Sequence, residues 1–255
     1  MKNQDIITQA RQGFDSQLHT AGYRKIHSDQ AHLEALMQFL EIQPAGHYID
    51  LGTGNGYLAF EMARRFPEIF VTGVDIATNA IRLDQALQRE RQLGNLDFLE
   101  YDGGRLPLED QACRGCISRY AFHHFPDPAF SAGELGRVTQ AHGFVIIADP
   151  LTYDEDTCGF IDRFQQRKPD GHVHFYRSQE LDDIFRQNGF SMQAQFFTKL
   201  TYPREMNADY QRLFDATPSA VLEQYQVSVG IPSVQITVTV RNVMYRKERK
   251  ENYGS

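Results

Sequence analysis

Three glycines at alternate positions fall in the run Asp50-Leu51-Gly52-Thr53-Gly54-Asn55-Gly56-Tyr57. A glycine-rich turn that leaves a strand and opens a helix lets the backbone approach a ligand closely. It also turns the helix's positive end and unpaired N–H groups toward the same crevice. The spacing discriminates between ligands. A dinucleotide fingerprint, G-x-G-x-x-G, would place its third glycine where Tyr57 stands, and no Gly-Lys-Ser/Thr of a P-loop follows. Asp50 precedes the first glycine by two residues, and Asp75 and Asp102-Gly103 follow later apolar runs. A carboxylate at Asp75 can accept two ribose hydroxyls, and one at Asp102 can accept an amine proton from an adenine. Three acids about one crevice disfavour an anionic ligand and favour one carrying amino and sulfonium charge.

Other residues offer weaker chemistry. His123 and His124, in Phe122-His123-His124-Phe125, are candidate catalytic residues, because an imidazole near neutrality can take a proton from a substrate. Packing is the competing role for both. Cys113-x-x-Cys116 lacks the further ligands of a zinc site, and His172-x-His174 lacks an evident third ligand, so no metal is expected. Between about 150 and 177, Tyr153, Phe160, Arg163, Phe164, Arg167, Lys168, Tyr176 and Arg177 mix aromatics with cations. That mixture suits either a lid over an acidic or planar substrate or an ordinary surface helix. Phe14, Leu18 and Tyr23 mark a second lid candidate near the N-terminus.

The elements that must carry these residues alternate along the chain. Strands are expected at 47–51, 70–74, 96–101, 116–118 and 144–148, with Asp50 near the end of the first and Asp75, Asp102 and Asp149 at the ends of the second, third and fifth. Helix-period apolar residues fill the intervals: Leu58, Met62 and Phe66; Ala80, Leu83 and Leu87; Ala132, Leu135 and Val138. Strand–helix repetition with short connections means parallel strands joined by right-handed crossovers. The later sequence changes style. Met192, Ala194 and Phe196 alternate with polar residues, as do Val234, Ile236, Val238 and Val240, which predicts an antiparallel pair at the sheet edge. The reading is one α/β domain over 1–255, with an N-terminal helical extension over 1–42, a lid-like insertion over about 150–177 and a helix within 205–229.

Composition sets the outer limits. The 255 residues are 41% hydrophobic and 23% charged, which excludes a disordered or fibrous chain. A formal charge of −7, with no long basic run, argues against nucleic acid as the main partner. No apolar stretch reaches membrane-spanning length, and the first residues lack a signal-peptide pattern. Three cysteines are too few for a disulfide framework, so a cytoplasmic protein with reduced thiols is expected.

Taken together, these residues resemble the class I S-adenosylmethionine-dependent methyltransferases. Asp50 to Gly56 is similar to their first motif, Asp75-Ile76 to their acidic ribose motif and Asp102-Gly103 to their adenine motif. Ser118 to Asp127 resembles the fourth-strand segment of the ubiquinone/menaquinone-biosynthesis type. The resemblance spans about residues 30–200. It implies a doubly wound, Rossmann-like, mostly parallel seven-stranded sheet with a reversed C-terminal strand and helices on both faces. It implies S-adenosyl-L-methionine as cofactor, held by Asp50, Gly52, Thr53, Gly54, Gly56, Asp75, Ile76, Asp102, Gly103, Arg119 and Tyr120. Transfer of a methyl group to a small-molecule carbon, oxygen or nitrogen follows. Arg114 stands where the family usually has Asp, at the strand end away from the cofactor. Two alternatives stay open: a module that binds the cofactor without methyl transfer, and a nicotinamide-dependent oxidoreductase, which the misplaced third glycine disfavours.

Overall fold

A computed structural model describes residues 3–17, 29–230 and 232–249 of the chain. Its strands in chain order are β1 (His47–Leu51), β2 (Phe70–Asp75), β3 (Leu96–Glu100), β4 (Cys113–Arg119), β5 (Thr139–Pro150), β6 (Phe190–Glu205), β7 (Ser228–Val229) and β8 (Ser233–Lys247). The sheet order is β3-β2-β1-β4-β5-β8-β6. β1 to β5 pair in parallel, and β8 runs antiparallel to both β5 and β6. The expected α/β class and reversed strand are therefore present. Seven strands were expected and eight are seen: the short β7 pairs with β8 off the main path.

The described helices are α1 (Asn3–Gln17), α2 (Gln30–Phe39), α3 (Tyr57–Arg65), α4 (Thr78–Glu90), α5 (Pro128–Val138), α6 (Phe160–Gln165), α7 (Ser178–Gln187), α8 (Ala208–Asp215) and α9 (Ser219–Gln224). Alternate side chains of the strands feed two cores, one on each sheet face. Tyr48, Val71, Ile117 and Ile146 pack with Leu36, Leu58 and Met62 of α2 and α3. Ile49, Val74, Cys116 and Ile147 pack with Leu135 and Phe185 of α5 and α7. Burial on both faces is why these strands read as apolar runs rather than clean alternators.

A third core was not visible in the sequence. Beyond the end of β5, the long β6–β8 pair continues, and Leu200, Tyr202, Val234 and Ile236 pack against α6, α8 and α9. Phe160 and Phe164, two of the lid candidates, are fully buried in this core. The single helix expected within 205–229 is two, α8 and α9. β4 extends three residues before the expected start: charged Arg114 interrupts its apolar run, and the register with β5 shifts there, but Cys113 still pairs with Thr139. No helix among the described residues is long and apolar enough to cross a membrane. Leu18 and Tyr23 lie outside the described residues.

Candidate active site

The parallel strands end at one edge of the sheet, and two adjoining clefts open there. The first, of about 710 Å³, is walled by Gly52 and Gly54 after β1, Asp75, Ile76 and Ala77 after β2, Tyr101 and Gly103 after β3, and Arg119, Tyr120, Ala121, His124, Phe125 and Pro126 after β4. Ile7, Ala10 and Phe14 of α1 close it from above.

The glycine turn is built tightly. Gly52, Gly54 and Gly56 all have φ between +59° and +75°. At Gly52 a Cβ would also stand 2.3 Å from the Ala121 Cβ, so this position takes no side chain. The turn's amides differ from the expectation of free donors. Gly52 N–H donates to the Val74 carbonyl (2.8 Å), Gly54 N–H to Asp75 Oδ2 (2.8 Å) and Gly56 N–H to the Thr53 carbonyl (3.0 Å). Asp75 Oδ1 accepts the Ala77 amide at 2.9 Å, so this carboxylate pins the turn to the start of α4. Burial pushes its pKa up.

Asp50 is buried beneath the turn and accepts the Thr53 hydroxyl at 2.7 Å; burial raises its pKa to about 6. Of the residues expected around the cofactor, Gly52, Gly54, Asp75, Ile76, Gly103, Arg119 and Tyr120 line the first cleft together, while Asp50, Thr53, Gly56 and Asp102 do not. Asp102 is exposed and accepts the Gly104 amide at 2.9 Å. Gly56 caps the N-terminus of α3.

The second cleft, of about 490 Å³, shares Phe14, Tyr120 and His124 with the first. Its remaining wall comes from the 150–177 segment and β6: Gln165, Lys168, Asp170, His172 and Phe175, then Leu200, Tyr202 and Arg204, with His123 at its side. His123 and His124 sit on a 3-10 turn tied to the end of β5. Asp149 accepts the His123 amide on Oδ2 and faces His123 Nδ1 with Oδ1, both at 2.9 Å. The His123 carbonyl accepts amides from Val173 (3.1 Å) and His174 (3.2 Å), which lays the insertion across the turn.

His124 differs from its neighbour. Burial, reinforced by His123, holds its pKa well below the ordinary value, so the ring is neutral. Gly171 is its backbone hydrogen-bonding neighbour, and Nδ1 is buried with no partner among the described residues. A neutral imidazole with a vacant nitrogen can accept a proton.

Tyr120, between the clefts, has a left-handed backbone (φ +57°), uncommon for a bulky residue and costing of order 1 kcal/mol. His32 of α2 holds it there. His32 Nε2 faces Asn242 Oδ1 at 2.7 Å, which assigns that proton to Nε2. Nδ1 then accepts from the Tyr120 hydroxyl (2.9 Å) and from Arg119 Nε (3.0 Å). Burial lowers the His32 pKa to about 4, which keeps the ring neutral and able to accept both.

Sequence reading missed His32, Asp149 as a histidine partner, Gln165 and Arg204. Asp149 carried a signal, a strand-end acid like Asp75; the others carried none. His172 and His174 both face Asp162, at 2.8 and 2.6 Å, and no grouping able to hold a metal exists among the described residues.

Residues 42–214 match the methyltransferase-domain family. A demethylmenaquinone methyltransferase of Thermus thermophilus is 32% identical over 40% of this chain and 46% of its own length. A malonyl-[acyl-carrier protein] O-methyltransferase of a Marinomonas species is 28% identical over 46% and 42%. The chain thus spans about half the length of these curated relatives. A candidate methyltransferase of Bacillus halodurans has the same fold, with a TM-score of 0.76 at 18% identity over 86% of this chain and 100% of that one. A glycine turn and a strand-end acid within the region that the family match covers, in a parallel sheet with a reversed strand beyond it, place the chain in the class I methyltransferase family.

Proposed function

We propose that the protein transfers the methyl group of S-adenosyl-L-methionine to a small-molecule acceptor. The observation that carries this is the pair of adjoining clefts, which share Phe14, Tyr120 and His124 as their common boundary. The first cleft suits the cofactor. Asp75 lies in its wall, and each carboxylate oxygen already takes one amide and has a lone pair left for a ribose hydroxyl. Ile76, Ala77 and Tyr101 offer an apolar slot to an adenine, and the Arg119 guanidinium offers charge to a carboxylate. Asp50 acts beneath the turn rather than on the ligand, and Asp102 meets the adenine only at the cleft's rim.

When bound, S-adenosyl-L-methionine supplies an electrophilic methyl group whose carbon–sulfur bond breaks with the electron pair returning to sulfur. The chain's own part is alignment of an acceptor across the boundary, exclusion of water by α1 and the insertion, and removal of the acceptor's proton by His124 Nδ1. Alignment alone can supply much of the rate. A cytoplasmic setting accords with three free cysteines. The net charge of −7 and the small second cleft favour a small molecule over nucleic acid.

Two measurements test the proposal. Incubation with methyl-labelled cofactor and a metabolite extract should yield labelled product; tight cofactor binding without any product would instead indicate a binding module. Calorimetry with S-adenosylhomocysteine should give a Kd at least tenfold weaker, about 1.4 kcal/mol, for Asp75→Ala than for the wild type. Unchanged affinity would remove Asp75 from the cofactor site.

A further inference from the structure

The far end of the second cleft, away from the cofactor, is built to meet negative charge. Arg204 of β6 donates from one terminal nitrogen to the Pro203 carbonyl (2.9 Å) and from the other to Gln165 Oε1 (3.2 Å). Its Nε, buried, has no hydrogen-bond partner. Gln165 of α6 is 5% exposed, and its Nε2 is likewise buried and unpartnered. Two linked side chains therefore each leave one donor unused in the wall of one cavity.

A buried donor without an acceptor is costly, and a guanidinium cannot relieve that cost by losing its proton. The nearby charges do not satisfy it. Lys168 and Asp170 pair with each other at 2.8 Å, and no carboxylate among the described residues lies within ion-pair distance of Arg204. His123, His124 and His172 line the same cavity, the first two kept neutral by burial. The cavity also has flat or apolar walls, Phe175, Leu200 and Tyr202, with Phe14 at the shared boundary.

We infer that the second cleft takes a small planar acid, its carboxylate on Arg204 and Gln165 and its methyl-accepting atom toward Tyr120 and His124. As an assignment of the acceptor it rests on the methyl-transfer reading; as a binding site it does not. An acid held at the far end presents its opposite end to the cofactor cleft, so the anchor also sets which atom is exposed to reaction. Asp170, already neutralised by Lys168, opposes such a ligand less than its position suggests.

The test is calorimetry with benzoate, phenylacetate and cinnamate against the corresponding amides, with and without saturating S-adenosylhomocysteine. At least one acid should bind about tenfold or more tightly than its amide. Arg204→Met and Gln165→Leu should abolish that preference, and Arg204→Lys, which keeps the charge but not the fork, should restore part of it. Affinity for S-adenosylhomocysteine should be the same in all three variants, which also reports that they fold. Amides binding as well as acids, no acid binding at all, or a preference that survives Arg204→Met would overturn the inference. A protein that prefers acids but binds no S-adenosylhomocysteine keeps this site and loses the methyl-transfer reading; one that binds S-adenosylhomocysteine without preferring acids does the reverse.

Discussion

His124 and His32 do opposite work with the same ring. His124 leaves one nitrogen vacant at the cleft boundary, whereas His32 has both nitrogens engaged by Asn242, Tyr120 and Arg119. For a base, a lowered pKa means that the proton-accepting form persists into acid, so kcat should show no acid limb near 6.5 from His124. Asp149 is itself pushed up to about 7 by burial, so the profile is to be recorded in Asp149→Asn as well. A limb near 6.5 that survives in that variant removes His124 from the proton-accepting role. His124→Ala should lower kcat about 10²-fold or more. For His32 the consequence is one of stability. The unfolded ring takes a proton below about 6.5, but the folded ring takes one only near 4. Its contribution is thus fully present above about 6.5 and is lost as pH falls toward 4, to a total of roughly 3 kcal/mol. Urea denaturation at pH 7.5 and pH 5 should show about 2 kcal/mol less acid sensitivity in His32→Gln than in the wild type, the part of the total lost by pH 5. Equal sensitivity would contradict the shift.

At the scale of elements, α1 is held as a cover by close contact rather than by a large apolar face. Arg11 Nε donates to the Ile76 carbonyl (2.9 Å), and Asp15 accepts the Asn79 amide (3.1 Å). Gly171 of the insertion lies so near α1 that a Cβ there would meet the Ala10 backbone at 2.9 Å. Gly171→Val should therefore lift α1, and trypsin should cut after Arg11 sooner than in the wild type; an unchanged cleavage rate would show the contact to be dispensable. The glycine turn and Asp75 were legible because their signals are local, a few residues at a strand end. The second cleft was not, because Tyr120, Gln165, Phe175 and Arg204 meet only through the third core, and no spacing along the chain announces that meeting. His32 was hidden for the same reason: it lies 88 residues from Tyr120 and 210 from Asn242. The alternating patterns of β6 and β8 revealed their pairing but not that β6 runs through Glu205, far enough to place Leu200, Tyr202 and Arg204 at the cleft.

For the whole molecule, β8 joins the parts. It lies between β5 and β6, pairs with β6 along its whole length and with β5 over Val240 to Arg246, and comes later in the chain than either. Its partners on β5 are about a hundred residues away, so its docking closes a long loop at considerable entropic cost. Tyr245 of β8 stacks on Phe185 of α7 (centroids 4.3 Å apart, planes 4° apart) and donates to Asp182 at 2.6 Å. Tyr245→Ala should cost about 3–5 kcal/mol in urea denaturation, with the loss read by fluorescence and circular dichroism together. A loss below about 1 kcal/mol would mean that β8 is held by its backbone pairing alone.

The division of the two clefts between different stretches of chain has a consequence for how such proteins diversify. Apart from α1 and the Tyr120–His124 turn, no residue is shared between them: the first cleft's other walls are complete by Pro126, while the second's begin at Gln165. On the proposed assignment of the clefts, substitutions along Gln165–Phe175 and at Leu200, Tyr202 or Arg204 retool what is alkylated without retuning how the alkyl donor is gripped. Descendants of one ancestor could then serve unrelated metabolites while keeping the same first half almost untouched.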